Sequence, residues 1–309
     1  MEPSSSSGTP VRAWRDLSVA AWSVLLACIA VLVGLWGAGR PSAWTDEVAT
    51  LVAVRRSMPV LVALLGHMDL VHGFWYVVVQ AWTATFGDSV VAVRILSAVF
   101  TGCATAGVVV LGAVLAGRRL AVASGFAMLV LPVSTGAAIE ARSEAFVTAL
   151  ATWTAVAFVL AVRERKASWW ILYACGIAAT ALAFVQSLTL VVAHALVLLA
   201  VRPSGQVWRR FTLTVGCALA ALAPFVVLAE RQKGQIGWVE APTAWDVART
   251  LSVHEWFGGQ APFAAPAWLA MAAVVLLPWG FPLAWRSSPV PPRFWRSHGP
   301  SCPTSWCWR

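Results

Sequence analysis

Between Leu17 and Leu283 the chain is divided into apolar runs, most of them ended by arginine, and this pattern leaves few folds open. About 20 apolar residues cross a ~30 Å hydrocarbon core as a helix. Within lipid the backbone has to satisfy its own hydrogen bonds, which a helix does unaided. The strong runs are Leu17 to Gly37, Val91 to Leu115, Leu120 to Ile139, Glu144 to Val162, Ser168 to Gln186, Leu188 to Val201, Phe211 to Ala229 and Ala264 to Leu283. A further stretch, Phe74 to Phe86, reaches only about 20 Å at ~1.5 Å per residue and is too short to span upright. With 60% hydrophobic residues, 11% charged residues and a mean hydropathy of +0.76, the expectation is an all-α integral membrane protein. It is a polytopic helical bundle of about 8–9 transmembrane segments.

Charge then sets the expected topology. The formal net charge is +9, but the Lys and Arg residues punctuate the ends of apolar runs, which is the pattern of positive residues facing the cytoplasm and not of a nucleic-acid surface. If Phe74 to Phe86 does not cross, 14 of the 22 Lys and Arg fall on the inner face; if it crosses, most move outside. The first arrangement follows the positive-inside rule. It gives a cytoplasmic leader over residues 1–16, a multi-pass domain over 17–284, and outer segments at 38–73, 140–143 and 230–263. A basic Pro-, Trp- and Ser-rich tail occupies 285–309. The leader and first run are longer than a secretory signal core, so the run is read as a retained anchor. The six cysteines have no metal-ligand spacing or disulfide framework.

The first outer segment holds the adjacent carboxylates Asp46 and Glu47, in a chain with 13 acids in all. After them Val48, Leu51, Val52 and Val54 fit a short helix ending at Arg55 and Arg56. Ser57 and Pro59 then look like the cap and first turn of another. Two interfacial helices are expected, with the acids at the membrane surface.

The motifs Trp44-Thr45-Asp46-Glu47, Asp69-Leu70-Val71-His72-Gly73-Phe74-Trp75-Tyr76 and Phe86-Gly87-Asp88-Ser89 followed by Arg94 and Ser97 resemble multi-pass glycosyltransferases of the GT-C fold. More narrowly, they resemble bacterial relatives of protein O-mannosyltransferases and of lipid A aminoarabinose transferases. The resemblance covers about residues 15 to 200 and lies in the order and spacing of short motifs. It implies transfer of a sugar, a hexose such as mannose, from a polyprenyl phosphate carrier to a protein, lipid or glycan acceptor on the outer face of the cell membrane, with inversion at the anomeric carbon.

In that chemistry a carboxylate takes the acceptor's proton while positive groups hold the leaving phosphate. Asp46 matches the family's catalytic acid, with Glu47 assisting by orienting the acceptor or by binding a divalent cation, the one cofactor the pair suggests. Asp69 and His72 match the second motif, and Arg94 is an ionisable residue at a membrane boundary suited to phosphate. In Ala138 to Phe146, Arg142 matches a phosphate clamp and Glu144 a cavity residue. Ser143 and Glu144 stand where relatives commonly carry an aromatic side chain.

Each of these residues also has a plainer use. Asp46 and Glu47 suit a helix N-terminus, Asp69 and His72 a polar loop end, Arg94 a snorkelling position, and Arg142 with Glu140 or Glu144 a surface pair. His194 and Gln186, inside apolar runs, suit interhelical hydrogen bonds, and the 19 tryptophans suit interface belts. The late outer segment, with Trp238, Glu240, Trp245, Asp246, His254, Glu255 and Trp256, fits a Trp-anchored loop or a sugar-holding surface. The tail after Leu283 lacks periodicity and suggests a truncated relative, and so an inactive fragment as one alternative. A transporter or lipid flippase is the other, although no matched pair of broken helices is evident.

Overall fold

The structure, a computed structural model, describes residues 18–236, 243–250 and 269. Among them every regular element is helical. Helix α1 (Val19–Gly37) starts at Ser18, whose hydroxyl accepts from the Ala21 N–H at 3.1 Å. Two short helices, α2 (Thr45–Val54) and α3 (Met58–Leu65), follow, then a 3₁₀ turn (Leu70–His72) and α4 (Gly73–Phe86). The long α5 (Val90–Ala116) is capped by Ser89 and stopped at Gly117, which takes φ 81°. Next come α6 (Arg118–Val130) and α7 (Pro132–Ala138), joined at a 66° bend where Pro132 has no N–H to continue the ladder. Then follow α8 (Glu144–Glu164), α9 (Ala167–Ala183), α10 (Thr189–Val201), α11 (Gly205–Arg231) and α12 (Ala244–Arg249).

Four helices, α1, α5, α8 and α11, are long and apolar enough to cross a membrane, and α6 with α7 makes a fifth if the bent pair is one span. The expected run Leu120 to Ile139 is therefore broken in the middle. The expected runs Ser168 to Gln186 and Leu188 to Val201 form shorter apolar helices split near Phe184. The expected eight to nine spans are thus four or five among the described residues. Residues 1–16, most of the late segment 230–263, the run Ala264 to Leu283 apart from residue 269, and the tail 285–309 lie outside them.

Contacts at the helix ends give the direction of each long element. Arg94 near the start of α5 bonds the Ala38 carbonyl at the end of α1. At the opposite end Arg163 of α8 bonds the Val114 carbonyl of α5, and Arg210 of α11 bonds the Arg165 carbonyl. Gln232, just past α11, returns to the first end and bonds the Leu65 carbonyl at 2.9 Å. Glycines allow α1 and α5 to touch closely: a Cβ at Gly102 would sit 2.9 Å from the Ala27 carbonyl oxygen, and one at Gly34 would sit 2.6 Å from the Ala98 Cβ.

Helix α4 begins and ends at one end of the bundle. Gln80 donates to the carbonyls of Val54 and Arg56 at 3.2 and 2.7 Å, Trp82 donates to the Ala92 carbonyl at 2.8 Å, and Asp88 pairs with Arg55 at 2.6 Å. The expected pair of first-segment helices is present as α2 and α3, which turn Val48, Val52, Met58, Val60 and Val62 outward and Leu61, Ala53 and Val54 inward. The inward side chains join Trp75, Tyr76, Val79, Val93, Leu96 and Phe146 in one apolar cluster beneath them. A second cluster, built on Phe158, Tyr173, Leu198, Phe211 and Leu222, holds α8 to α11 together. There His194, expected to make an interhelical bond, lies 3.0 Å from the Tyr173 hydroxyl through Nδ1.

Candidate active site

Consecutive helical residues point about 100° apart, so Asp46 and Glu47 at the start of α2 face different surroundings. Glu47 is fully buried. Its Oε1 accepts from Arg94 Nε at 2.8 Å and from the Ala141 N–H at 2.7 Å; its Oε2 accepts from Arg94 Nη2 at 2.7 Å and from the Trp44 N–H at 3.3 Å. Arg94 gives its remaining donors to the carbonyls of Ala38, Pro41 and Ser42 at 2.9, 2.8 and 3.3 Å. All five guanidinium N–H groups are thereby used. Burial alone would raise the Glu47 carboxyl pKa, but the Arg94, Ala141 and Trp44 donors outweigh it and hold it below its usual value.

Asp46 instead opens into a cavity of about 150 Å³. Ala49, Thr50, Trp75 and Tyr76 form its walls, and Asp69, His72, Arg142 and Ser143 complete it. Arg142 reaches Asp46 Oδ2 with Nη2 at 3.4 Å and Glu144 Oε1 with Nε at 3.2 Å, while its guanidinium carbon lies 5.1 Å from the centre of the Trp44 ring. Glu144 keeps Oε2 buried with no hydrogen-bond partner among the described residues. Burial, then the neighbouring Glu144 carboxylate, push the Glu140 carboxyl up.

The far wall comes from the turn before α4. Asp69 takes φ 58° and ψ 23°, a left-handed conformation that aspartate tolerates better than most residues. Its Oδ2 accepts from the Tyr76 hydroxyl at 3.5 Å. Burial pushes the His72 imidazole down from its ordinary value of 6.5, against an upward pull from Asp69. His72 therefore stands neutral near pH 7, able to accept or donate at one nitrogen each.

The structure thus brings Asp46, Asp69, His72 and Arg142 into one cavity, with Glu144 behind Arg142. It places Glu47 and Arg94 elsewhere. They satisfy each other behind α2, so neither presents free lone pairs or donors to an acceptor, phosphate or cation, because burial demands that each be fully paired. Among the described residues no group of three or more His, Cys, Asp and Glu side chains is gathered as a metal site. Sequence reasoning gave no site role to Thr50, Trp75, Tyr76 or Ser143. Helical spacing was the available signal for two of them, since Thr50 lies four residues after Asp46 and Tyr76 four after His72, one turn onward on the same face.

Residues 73–229 match the family described as dolichyl-phosphate-mannose-protein mannosyltransferase. No curated protein and no solved structure matches the chain. The matched segment contains Tyr76, Arg94, Arg142 and Glu144, whereas Asp46, Glu47, Asp69 and His72 precede it. Because that segment takes in more than half of the 309 residues, the chain belongs to the dolichyl-phosphate-mannose-protein mannosyltransferase family, multi-pass membrane glycosyltransferases of the GT-C type that draw their sugar from a lipid carrier.

Proposed function

We propose that this protein moves a sugar, a hexose such as mannose, from a polyprenyl phosphate to an acceptor hydroxyl, with Asp46 as general base. The observation that carries the reading is the cavity itself, in which a carboxylate from α2 meets an arginine from the loop before α8 at 3.4 Å. In the reaction the acceptor oxygen bonds to the anomeric carbon as the carbon–phosphate oxygen bond breaks on the opposite face, so the centre inverts. The acceptor's proton passes to Asp46, and the negative charge growing on the departing phosphate is met by Arg142. Asp69, His72 and Tyr76 offer hydrogen bonds to the sugar or acceptor. At about 150 Å³ the cavity is smaller than the ~300–1,000 Å³ of a typical ligand pocket. It suits the reacting end of a substrate, with the isoprenoid left in the bilayer.

We also propose that the cavity faces away from the cytoplasm. Within residues 18–236 the opposite end of the bundle carries Arg118, Arg119, Arg163, Arg165, Lys166, Arg202, Arg209 and Arg210 against the single acid Glu164. The cavity end holds seven basic and seven acidic residues. Such asymmetry orients the basic end inward. The outward valines of α2 and α3 would then rest in the outer interface beside the donor.

The test is transfer of radiolabel from a polyprenyl-phosphate sugar by membranes holding the intact protein or Asp46→Asn. Loss of transfer in the variant, with protein level unchanged, is expected. Equal transfer by both would remove Asp46 as the base.

A further inference from the structure

The turn that carries Asp69 and His72 is held from a distant part of the chain. Gln232, the first residue past α11, donates through Nε2 to the Leu65 carbonyl at 2.9 Å and accepts through Oε1 from the Leu70 N–H at 3.0 Å. Those two atoms flank the segment Gly66 to Asp69, so one side-chain amide closes the turn as a backbone strand would. The turn itself carries a backbone cost. Asp69 sits at φ 58°, a conformation disfavoured for a residue with a Cβ. Its side chain accepts from Tyr76 at 3.5 Å and its carbonyl from the His72 N–H at 2.9 Å, both within the segment that follows the turn. Near the N-terminal flank the His67 and Met68 N–H groups complete the end of α3 by bonding the Leu64 carbonyl.

We infer that Gln232 is a positioning residue: its amide clamps both flanks of the Gly66–Asp69 turn and so holds Asp69 and His72 at the cavity. The role rests on the proposed transfer reaction only for its catalytic readout. Its physical content is the clamp. The match to the family ends at residue 229, so the clamp lies just outside the matched segment.

The experiment combines hydrogen exchange and transfer kinetics on the full chain in lipid nanodiscs, comparing wild type with Gln232→Ala, Gln232→Glu and Glu230→Gln. Gln232→Ala is expected to speed exchange of residues 66–72 at least tenfold and to lower kcat roughly tenfold to a hundredfold, the cost of a displaced reacting group, with the melting temperature unchanged. Gln232→Glu keeps the acceptor for Leu70 but not the donor for Leu65, and its losses should be intermediate. Glu230→Gln removes only the exposed Glu230–Lys233 pair and should match wild type. Unchanged exchange in Gln232→Ala, or faster exchange with undiminished kcat, would overturn the role. So would equal losses in Glu230→Gln, or activity that returns on cooling below a lowered melting temperature. If wild type transfers no sugar, the proposed reaction fails, while the exchange comparison still decides whether the clamp exists.

Discussion

Asp46 and Glu47 are neighbours on one helical turn, and each faces an arginine, yet the two pairs are built for different ends. Glu47 meets Arg94 at 2.7 and 2.8 Å in full burial, with every donor of the arginine engaged. Asp46 meets Arg142 at 3.4 Å, with side chains 48% and 29% exposed. The first pair has no spare capacity and ties the α1–α2 loop, α5 and the Ala141 backbone together. The second is loose enough for a phosphate or hydroxyl to enter between its members. Adjacent residues thus differ in kind: the buried pair fixes the frame, and the open pair lines the cavity to which the transfer reaction is assigned above.

Reciprocal variants separate the two pairs. Asp46→Asn should cut transfer by roughly 100- to 10,000-fold, the range of a lost general base, with the melting temperature unaltered. Glu47→Gln should do the reverse in kind, costing about 3–5 kcal/mol of stability by leaving the Arg94 charge buried without its counterion; thermal melts in nanodiscs measure it. If Glu47→Gln melts like wild type but loses transfer, the division proposed between the pairs fails.

Smaller effects sharpen it. Arg142→Ala should lower kcat/KM about 100-fold, the loss expected for one stabilising donor. Stability should move by less than about 1 kcal/mol, because its ion pairs are half-exposed. Acid should weaken the fold in two stages. The pKa values of His72 and Glu47 are both lowered by folding, so each contributes stability that is present above its unfolded value and lost as pH falls. The first stage begins below the ordinary histidine value of 6.5 and the second below the ordinary glutamate value of 4.5. Melts of His72→Asn should show a smaller first stage. Least of all, Asp88→Asn, which breaks the exposed Arg55–Asp88 bridge, should change stability by under about 1 kcal/mol.

Most of the helices and half of the cavity were legible in the sequence, for identifiable reasons. Apolar run length located α1, α5, α8 and α11, because burial in lipid imposes it on composition directly. Run length missed the 66° break at Pro132 and the split near Phe184, where a helix bends without becoming polar. Motif order marked Asp46, Asp69, His72 and Arg142, but their roles await the transfer experiment. Glu47 was expected to assist Asp46 as its neighbour in the motif, and Arg94 to hold phosphate as an ionisable residue at a membrane boundary. Only the three-dimensional path shows that the two side chains bond each other twice and spend their remaining contacts on nearby backbone. Gln232 had no signal at all, since an amide that bridges residues 162 and 167 positions away follows no local pattern.

The return of α4 to its starting end also bears on how the chain is made. Because α1 leaves and α5 enters at the same end, everything from residue 38 to residue 89 belongs to one side of the bilayer; in the orientation proposed above it is exported as one continuous stretch, with the 14-residue, largely apolar α4 passing through the insertion machinery without being stopped there. Only three arginines lie in that stretch, beside four carboxylates, and no lysine, so little charge resists its passage. In that orientation, adding a few lysines next to Gly87 would be expected to hold α4 back as an anchor and to separate the loop that carries Asp46 from the side proposed for it.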